Sequence, residues 1–150
     1  MNERVSLTQD ERVLAALAHG SILLGLASNG FGGIVAALII WLLQREKSAY
    51  VAFQALQSMV YQILGLVVAI VTWGCWMLAF FASIFIPILT HPGAYEEAPP
   101  IAMFISLVLM IVPLGLMGLW TLYGLWGALR ALQGTDFKYP VIGRLVAQVR

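Results

Sequence analysis

Residues 50–62 read YVAFQALQSMVYQ, with Gln54, Gln57 and Gln62 at the mouth of a long apolar run. From Ser48 to Tyr95 the chain has no Asp, Glu, Lys or Arg. As a helix those 48 residues extend about 72 Å at 1.5 Å per residue, well beyond a hydrocarbon core of about 30 Å. Part of the run must therefore lie outside the hydrocarbon. The polar residues cluster in its first quarter, so 50–62 is expected to form an interfacial helix leading into a span over 63–89. At helical spacing Gln54, Ser58, Tyr61 and Gln62 share a face, which Gly65 continues. An amide buried in hydrocarbon without a partner costs several kcal/mol. The expectation is that the three glutamines meet headgroup water and the C-terminal turn GTDFKYP. The rival expectation is a polar seam between helices, with Gln54 and Gln62 converging on a hydrated path.

Working outward, composition agrees with a membrane setting. The chain is 61% hydrophobic and 10% charged, against about 25% charged in soluble domains, too little polar surface to cover a water-exposed fold. The net charge of +1 singles out no polyanionic partner, and nucleic acid is not expected. With one cysteine, Cys75, no intrachain disulfide can form and no cysteine metal cluster exists. The opening MNERVSLTQDER mixes acidic and basic residues and lacks a signal-peptide pattern, so the first apolar run reads as a retained segment.

Charge-free stretches run from Val13 to Gln44, Ser48 to Tyr95 and Ala98 to Leu129. The first is broken by SNGFGG at 28–33, a poor helix interior and a good turn, so a hairpin is expected there. The basic residues fall at Arg4 and Arg12, at Arg45 and Lys47, and at Arg130, Lys138, Arg144 and Arg150. Four spans place all of them on one side, in keeping with the positive-inside tendency. The expected fold is all-α: a single membrane domain over 1–150 with four transmembrane helices near 9–27, 31–43, 63–89 and 101–129. Both termini then face the cytoplasm. Thr8-Gln9-Asp10-Glu11 fits a capping box at the start of the first helix. Pro113 predicts a kink in the last span, where Gly115, Gly118, Gly124 and Gly127 are candidates for close helix packing. Trp120, Tyr123 and Trp126 suit an aromatic belt. Gly134 ends that helix, and Pro140 opens a short amphipathic helix over 141–150.

Little of this points to chemistry. His19, in ALAHGS, is an ionisable group inside a membrane segment, and by default a functional candidate; a neutral imidazole bridging two helices is the plainer reading. His91 falls in the expected outer loop, at the opposite depth from His19, so the two histidines make no metal site. Glu96-Glu97 reads as a solvated turn. No nucleophile elbow, zincin, Walker or dinucleotide pattern is present. No catalytic residue, cofactor or metal is expected. Arg45, Lys47, Lys138, Arg144 and Arg150 are candidates for lipid-headgroup contact, each worth about 1 kcal/mol at an anionic surface.

The runs IIWLLQREKSAYVAFQALQSMVYQ, ALAHGS and ALQGTDFKYPVIGRL resemble a family of small bacterial four-helix membrane proteins similar to the chloroplast inner-envelope import component. Trp41, Leu42, Leu43, Arg45, Glu46, Lys47, Gln54, Ala55, Leu56, Gly134, Phe137, Lys138, Tyr139 and Pro140 carry the likeness. The chain lacks the His and Asn common in that family's glutamine segment. The resemblance implies a bacterial inner membrane and brings no catalytic residues. Together with the glycine-rich helices it leads to the expectation of a non-catalytic accessory, scaffold or assembly subunit, bound by lipids and other membrane subunits. The alternative is a small homo-oligomeric channel or translocon-type component.

Overall fold

The computed structural model describes residues 7–91, 93 and 101–148. Every regular element among them is a helix. The chain divides into two compact units, one formed by Met1–Leu66 with Trp120–Arg150, the other by Val67–Leu119.

In the first unit, Thr8 caps α1 (Gln9–Gly20). The Thr8 hydroxyl accepts from the Glu11 N–H at 3.2 Å, and the Glu11 carboxylate accepts from the Thr8 N–H at 2.9 Å. This is the reciprocal box that the TQDE spacing predicts. The other oxygen of the same carboxylate accepts from the Ser48 hydroxyl at 2.6 Å, so one side chain ties the start of α1 to the corner before α4. These bonds, Ser48 first and the Thr8 N–H next, hold the Glu11 carboxyl below its ordinary range.

The helix breaks at Ser21 and resumes as α2 (Ile22–Ala27). A tight turn follows, with Asn29 at φ 53° and Gly30 at φ 96°, and α3 (Phe31–Gln44) returns along α1 and α2. Positive φ is tolerated by Asn and Gly, which explains why SNG marks the reversal. After the QREK corner comes α4 (Ala49–Thr90), 42 residues without interruption. The expected interfacial segment and third span are thus one helix, about 63 Å long.

Pro113 acts three residues upstream of itself. Helix α5 (Ile101–Leu109) ends, Met110 forms a turn, and α6 (Ile111–Leu132) begins. Pro113 lacks the N–H that would bond to Leu109, and its ring crowds that carbonyl. Gly134, at φ 74°, closes α6, and α7 (Ile142–Gln148) ends the described chain. Arg4, Glu96, Glu97 and Arg150 lie outside the described residues.

The expected count of four spans is corrected to two. Among the described residues only α4 and the pair α5–α6, Ile101–Leu132, are long and apolar enough to cross a membrane. The expected spans at 9–27 and 31–43 resolve into helices of 12, 6 and 14 residues. At 1.5 Å per residue even the longest reaches only about 21 Å, short of a core of about 30 Å. The expected reversal at SNGFGG is present as the left-handed Asn29–Gly30 turn, and the Ser21 break divides the expected first span further.

In the second unit, the later part of α4 and the helices after it carry apolar side chains outward, among them Ile70, Leu78, Leu89, Val108 and Leu119. An aromatic ladder runs along α4 from Trp73 through Trp76 and Phe80 to Phe81 and Phe85. The Trp76 indole N–H donates to the Ser106 carbonyl at 2.8 Å. The surface is one for hydrocarbon rather than water.

Candidate functional site

The polar residues of α4 turn inward. Gln54 and Gln57 are fully buried, and Ser58, Tyr61 and Gln62 nearly so. They fall at spacings of three and four residues, so one stripe of the helix carries all of them against α1 and the segment after α6. His19 is buried in α1 and faces them. Gln54, Gln57, Ser58, Tyr61, Gln62 and His19, the candidates for a polar seam in the rival expectation, are therefore brought together inside the first unit, buried from solvent.

The hydrogen bonds fix the direction of nearly every group. The Gln54 amide nitrogen donates to the Phe137 carbonyl at 3.1 Å, so its oxygen faces His19 Nε2 at 2.9 Å. That oxygen also accepts from the Gln57 amide at 2.5 Å, while Gln57 donates to the Phe137 carbonyl at 2.7 Å as well. The Tyr139 backbone N–H donates back to Gln57 Oε1 at 3.4 Å. An acceptor at His19 Nε2 requires that nitrogen to carry the proton, which leaves Nδ1 bare. Tyr139 Oη lies 3.1 Å from Nδ1 and is therefore the donor there. The order is phenol to imidazole to amide to backbone carbonyl. Burial pushes the His19 imidazole down to about 4, with the Gln54 bond opposing in part, and burial also raises the Tyr139 phenol. Both groups are neutral at physiological pH.

A second cluster lies beside this one. Gln62 donates to the hydroxyls of Ser21 at 3.0 Å and Ser58 at 3.1 Å. Ser58 in turn donates to the Ala18 carbonyl at 2.7 Å, and Ser21 has both the Ala18 and Gly33 carbonyls within 3.0 Å. Gln62 Oε1 is buried without a hydrogen-bond partner. It presses against Gly33, where an added Cβ would overlap it and come 2.5 Å from the Ser21 carbonyl oxygen. The Gly33 Cα–H is the only donor such a contact offers, a weak one. This glycine, read from sequence as part of a turn, permits the closest approach of α3 to the core.

Aromatic rings complete the site. Tyr139 stacks on Tyr61 with centroids 4.1 Å apart, and Tyr61 stacks on Trp120 at 4.7 Å. The Tyr61 hydroxyl donates to the Trp120 carbonyl at 2.7 Å. The glycines of α6 divide into two pairs. A Cβ at Gly124 would meet Ile22 at 2.8 Å, and one at Gly127 would meet Phe137 at 2.9 Å; at Gly115 and Gly118 there is nothing within 4 Å. Close packing thus holds for Gly124 and Gly127 and not, within this chain, for Gly115 and Gly118.

The basic candidates remain at the surface. Arg45 pairs with Glu46 at 3.6 Å and lies 5.8 Å from the Trp41 ring centre. Lys138 pairs with Asp136 at 2.7 Å, and Lys47 and Arg144 are exposed. In α7, Ile142 and Val146 face the core while Leu145, like Val141 just before the helix, faces out, so these apolar residues do not form one outward face. No group of three His, Cys, Asp or Glu residues able to hold a metal occurs among the described residues. Sequence reading missed Ser21, Gly33 and Tyr139 as parts of the network. In the sequence Tyr139 stands out only as part of the FKYP motif.

Fold and site define an all-α protein with two helices of membrane-spanning length and a polar knot of amides, imidazole, hydroxyls and phenol inside one unit. Over residues 10–146 the chain matches the MamF/MmsF family, described as the magnetosome magnetite crystal formation protein family, and it belongs to that family. This corrects the resemblance to the import-component family. The residues that suggested it, around Gln54 and Phe137–Tyr139, are among those that build the knot. No curated protein and no solved structure matches the chain.

Proposed function

We propose that this chain is a non-catalytic membrane subunit that supports magnetite crystal formation as an accessory or scaffold within the magnetosome membrane. The observation that carries this reading is that the buried glutamine amide nitrogens all have acceptors within the chain. The amide nitrogens of Gln54, Gln57 and Gln62 all donate to one another, to serine hydroxyls or to the backbone, and His19 Nε2 donates to the Gln54 oxygen. Side chains occupied in this way hold three chain segments in register and offer no lining to an aqueous path. That favours the scaffold over the homo-oligomeric channel. The family's crystal-forming role supplies the process, and the apolar outer surfaces supply the setting.

Two spans keep the charge logic of the sequence. An even number places both ends of the chain on one side, and Arg12, Arg45, Lys47, Arg130, Lys138 and Arg144 all belong to the first unit. That side is the cytoplasmic one. Leu17, Leu23, Leu24 and Phe31 present an exposed apolar surface on the N-terminal hairpin, which is offered to neighbouring subunits of the assembly.

Deletion in the magnetite-forming host tests the proposal. Loss of the chain is expected to change the size or shape of the crystals seen by electron microscopy, with restoration by the full-length protein and co-purification of other membrane proteins with it. Crystals indistinguishable from wild type, or an ion conductance from the purified chain in liposomes that vanishes with Gln54→Leu, would overturn it.

A further inference from the structure

Tyr139 is 2% exposed, and its hydroxyl proton is directed at one base, the bare Nδ1 of His19, 3.1 Å away. Gly127 makes room for the pair: a Cβ there would stand 3.1 Å from Tyr139 Oη and 3.2 Å from His19 Nδ1. The Tyr139 ring is one end of a stacked series, parallel to Tyr61 within 3° at 4.1 Å, with Tyr61 within 13° of Trp120 at 4.7 Å. Tyr123, 40% exposed, touches both tyrosines edge-on, at 6.1 and 5.5 Å. Packing alone would be served by a phenylalanine at 139. What the hydroxyl adds is a proton with a fixed acceptor in a dry place.

A phenol gives up an electron readily only when its proton leaves with it, because the oxidised phenol is a very strong acid. A hydrogen-bonded neutral imidazole is a suitable acceptor. We infer that Tyr139 is a redox-active tyrosine, oxidised through the Trp120–Tyr61 stack with its proton received by His19. The oxidant is a peroxide-derived one-electron species, of the class that ferrous iron makes from hydrogen peroxide. In the step, one electron passes from Tyr139 along the stacked rings to the oxidant, which is reduced. The Oη–H bond breaks, the proton forms a bond to Nδ1, and the products are a neutral phenoxyl radical and an imidazolium whose Nε2–H still faces Gln54 Oε1. The reverse follows when a one-electron donor such as ferrous ion refills the phenoxyl and Nδ1 returns the proton. The chain would thereby intercept damaging oxidants before they reach lipid. The source of the oxidant rests on the proposed setting; the electron and proton step does not.

The test uses the full-length protein in detergent with its histidines labelled with nitrogen-15, illuminated with tris(bipyridyl)ruthenium and persulfate and frozen for electron paramagnetic resonance. The expected result is a neutral tyrosyl radical with hyperfine coupling to a single imidazole nitrogen. The coupling is retained in His91→Gln, whose site is exposed beside Thr90. The coupled signal is lost in Tyr139→Phe. A radical without histidine coupling, no tyrosyl radical at all, or a coupled signal that survives Tyr139→Phe would overturn the inference. Should Tyr139→Phe fail to fold, the coupling in the wild-type and His91→Gln proteins decides alone. Crystal morphology plays no part in this readout, so its failure is separate from failure of the scaffold reading.

Discussion

One helix, α4, belongs to two different worlds. Its residues up to Leu66 lie in the first unit and bury Val51, Phe53, Gln54, Ala55, Gln57, Ser58, Tyr61 and Gln62; from Val67 onward, in the second unit, none is buried. The first stretch is specified by directional bonds to named partners. The second is specified by apolar side chains and an aromatic ladder, which fit many neighbours. Hydropathy treats the two as one charge-free run, whereas their tertiary roles are opposite. Polar side chains at helical spacing in an apolar helix mark where a membrane protein fixes its own fold. The apolar remainder marks where it is left to lipid and partners.

The largest effect that separates the two regions is expected from replacing Gln54, Gln57 and Gln62 together by Leu. The change strands the Phe137 carbonyl, the Tyr139 N–H and His19 Nε2. At about 1–3 kcal/mol for each buried group left unpaired, the sum rivals a typical total stability of about 5–15 kcal/mol. Aggregation or a collapse of thermal stability in detergent is expected, and a normally folded triple mutant would dissolve the distinction between the regions. A triple change of Val67, Ile70 and Leu78 to Ala on the outward face should leave the melting curve within a few degrees.

Acid probes the first unit by itself. His19 is neutral when folded and has its ordinary value of 6.5 when unfolded, against about 4 in the structure. Between those values the unfolded chain binds the extra proton. Stability is therefore full above pH 6.5 and falls as pH drops towards about 4, by about 3 kcal/mol at about 1.36 kcal/mol per pH unit. Glu11, held below its ordinary value of 4.5, contributes a separate loss at lower pH. A His19→Gln variant that folds should lose the first phase and keep the second.

Glycines sharpen the contrast at smaller scale. Gly33→Ala is expected to cost about 1–3 kcal/mol through overpacking, because the new methyl meets a backbone carbonyl as well as Gln62. Gly118→Ala, with open space around it, should be neutral or stabilising by up to about 1 kcal/mol from helix propensity. Gly124→Leu should disturb the isolated chain and Gly118→Leu should not; equal effects would mean the two regions pack alike. The smallest change is expected from Lys138→Ala, whose exposed pair with Asp136 is worth no more than about 1 kcal/mol.

Much of the first unit was legible. The Thr8 cap, the SNG reversal and the shared face of Gln54, Ser58, Tyr61 and Gln62 all follow from local rules, as does the Pro113 break in the second unit. Depth was not. Glutamines at the start of an apolar run fit headgroup water and a sealed core equally well, and the choice rests on partners far away in the chain. The Phe137 carbonyl and Tyr139 are about eighty residues from the glutamines they bind, and no local spacing announces that meeting. The expected contact with the GTDFKYP turn exists, but without the expected headgroup water around it. The span count failed for a related reason. Hydropathy sums over Ser21, where the first helix breaks, and does not register that the 14 residues of α3 are too few to cross.

The account turns on a closed network in which His19 is a neutral, Nε2-protonated imidazole between Tyr139 and Gln54. Nitrogen-15 magnetic resonance of the histidine ring in the detergent-solubilised protein, titrated across acid pH, reads that state directly. The predicted spectrum shows one histidine with a protonated Nε2 and a bare Nδ1, holding that form down to about pH 4. A His19 ring that exchanges both tautomers and titrates near 6.5 like a solvated imidazole would contradict the closed network.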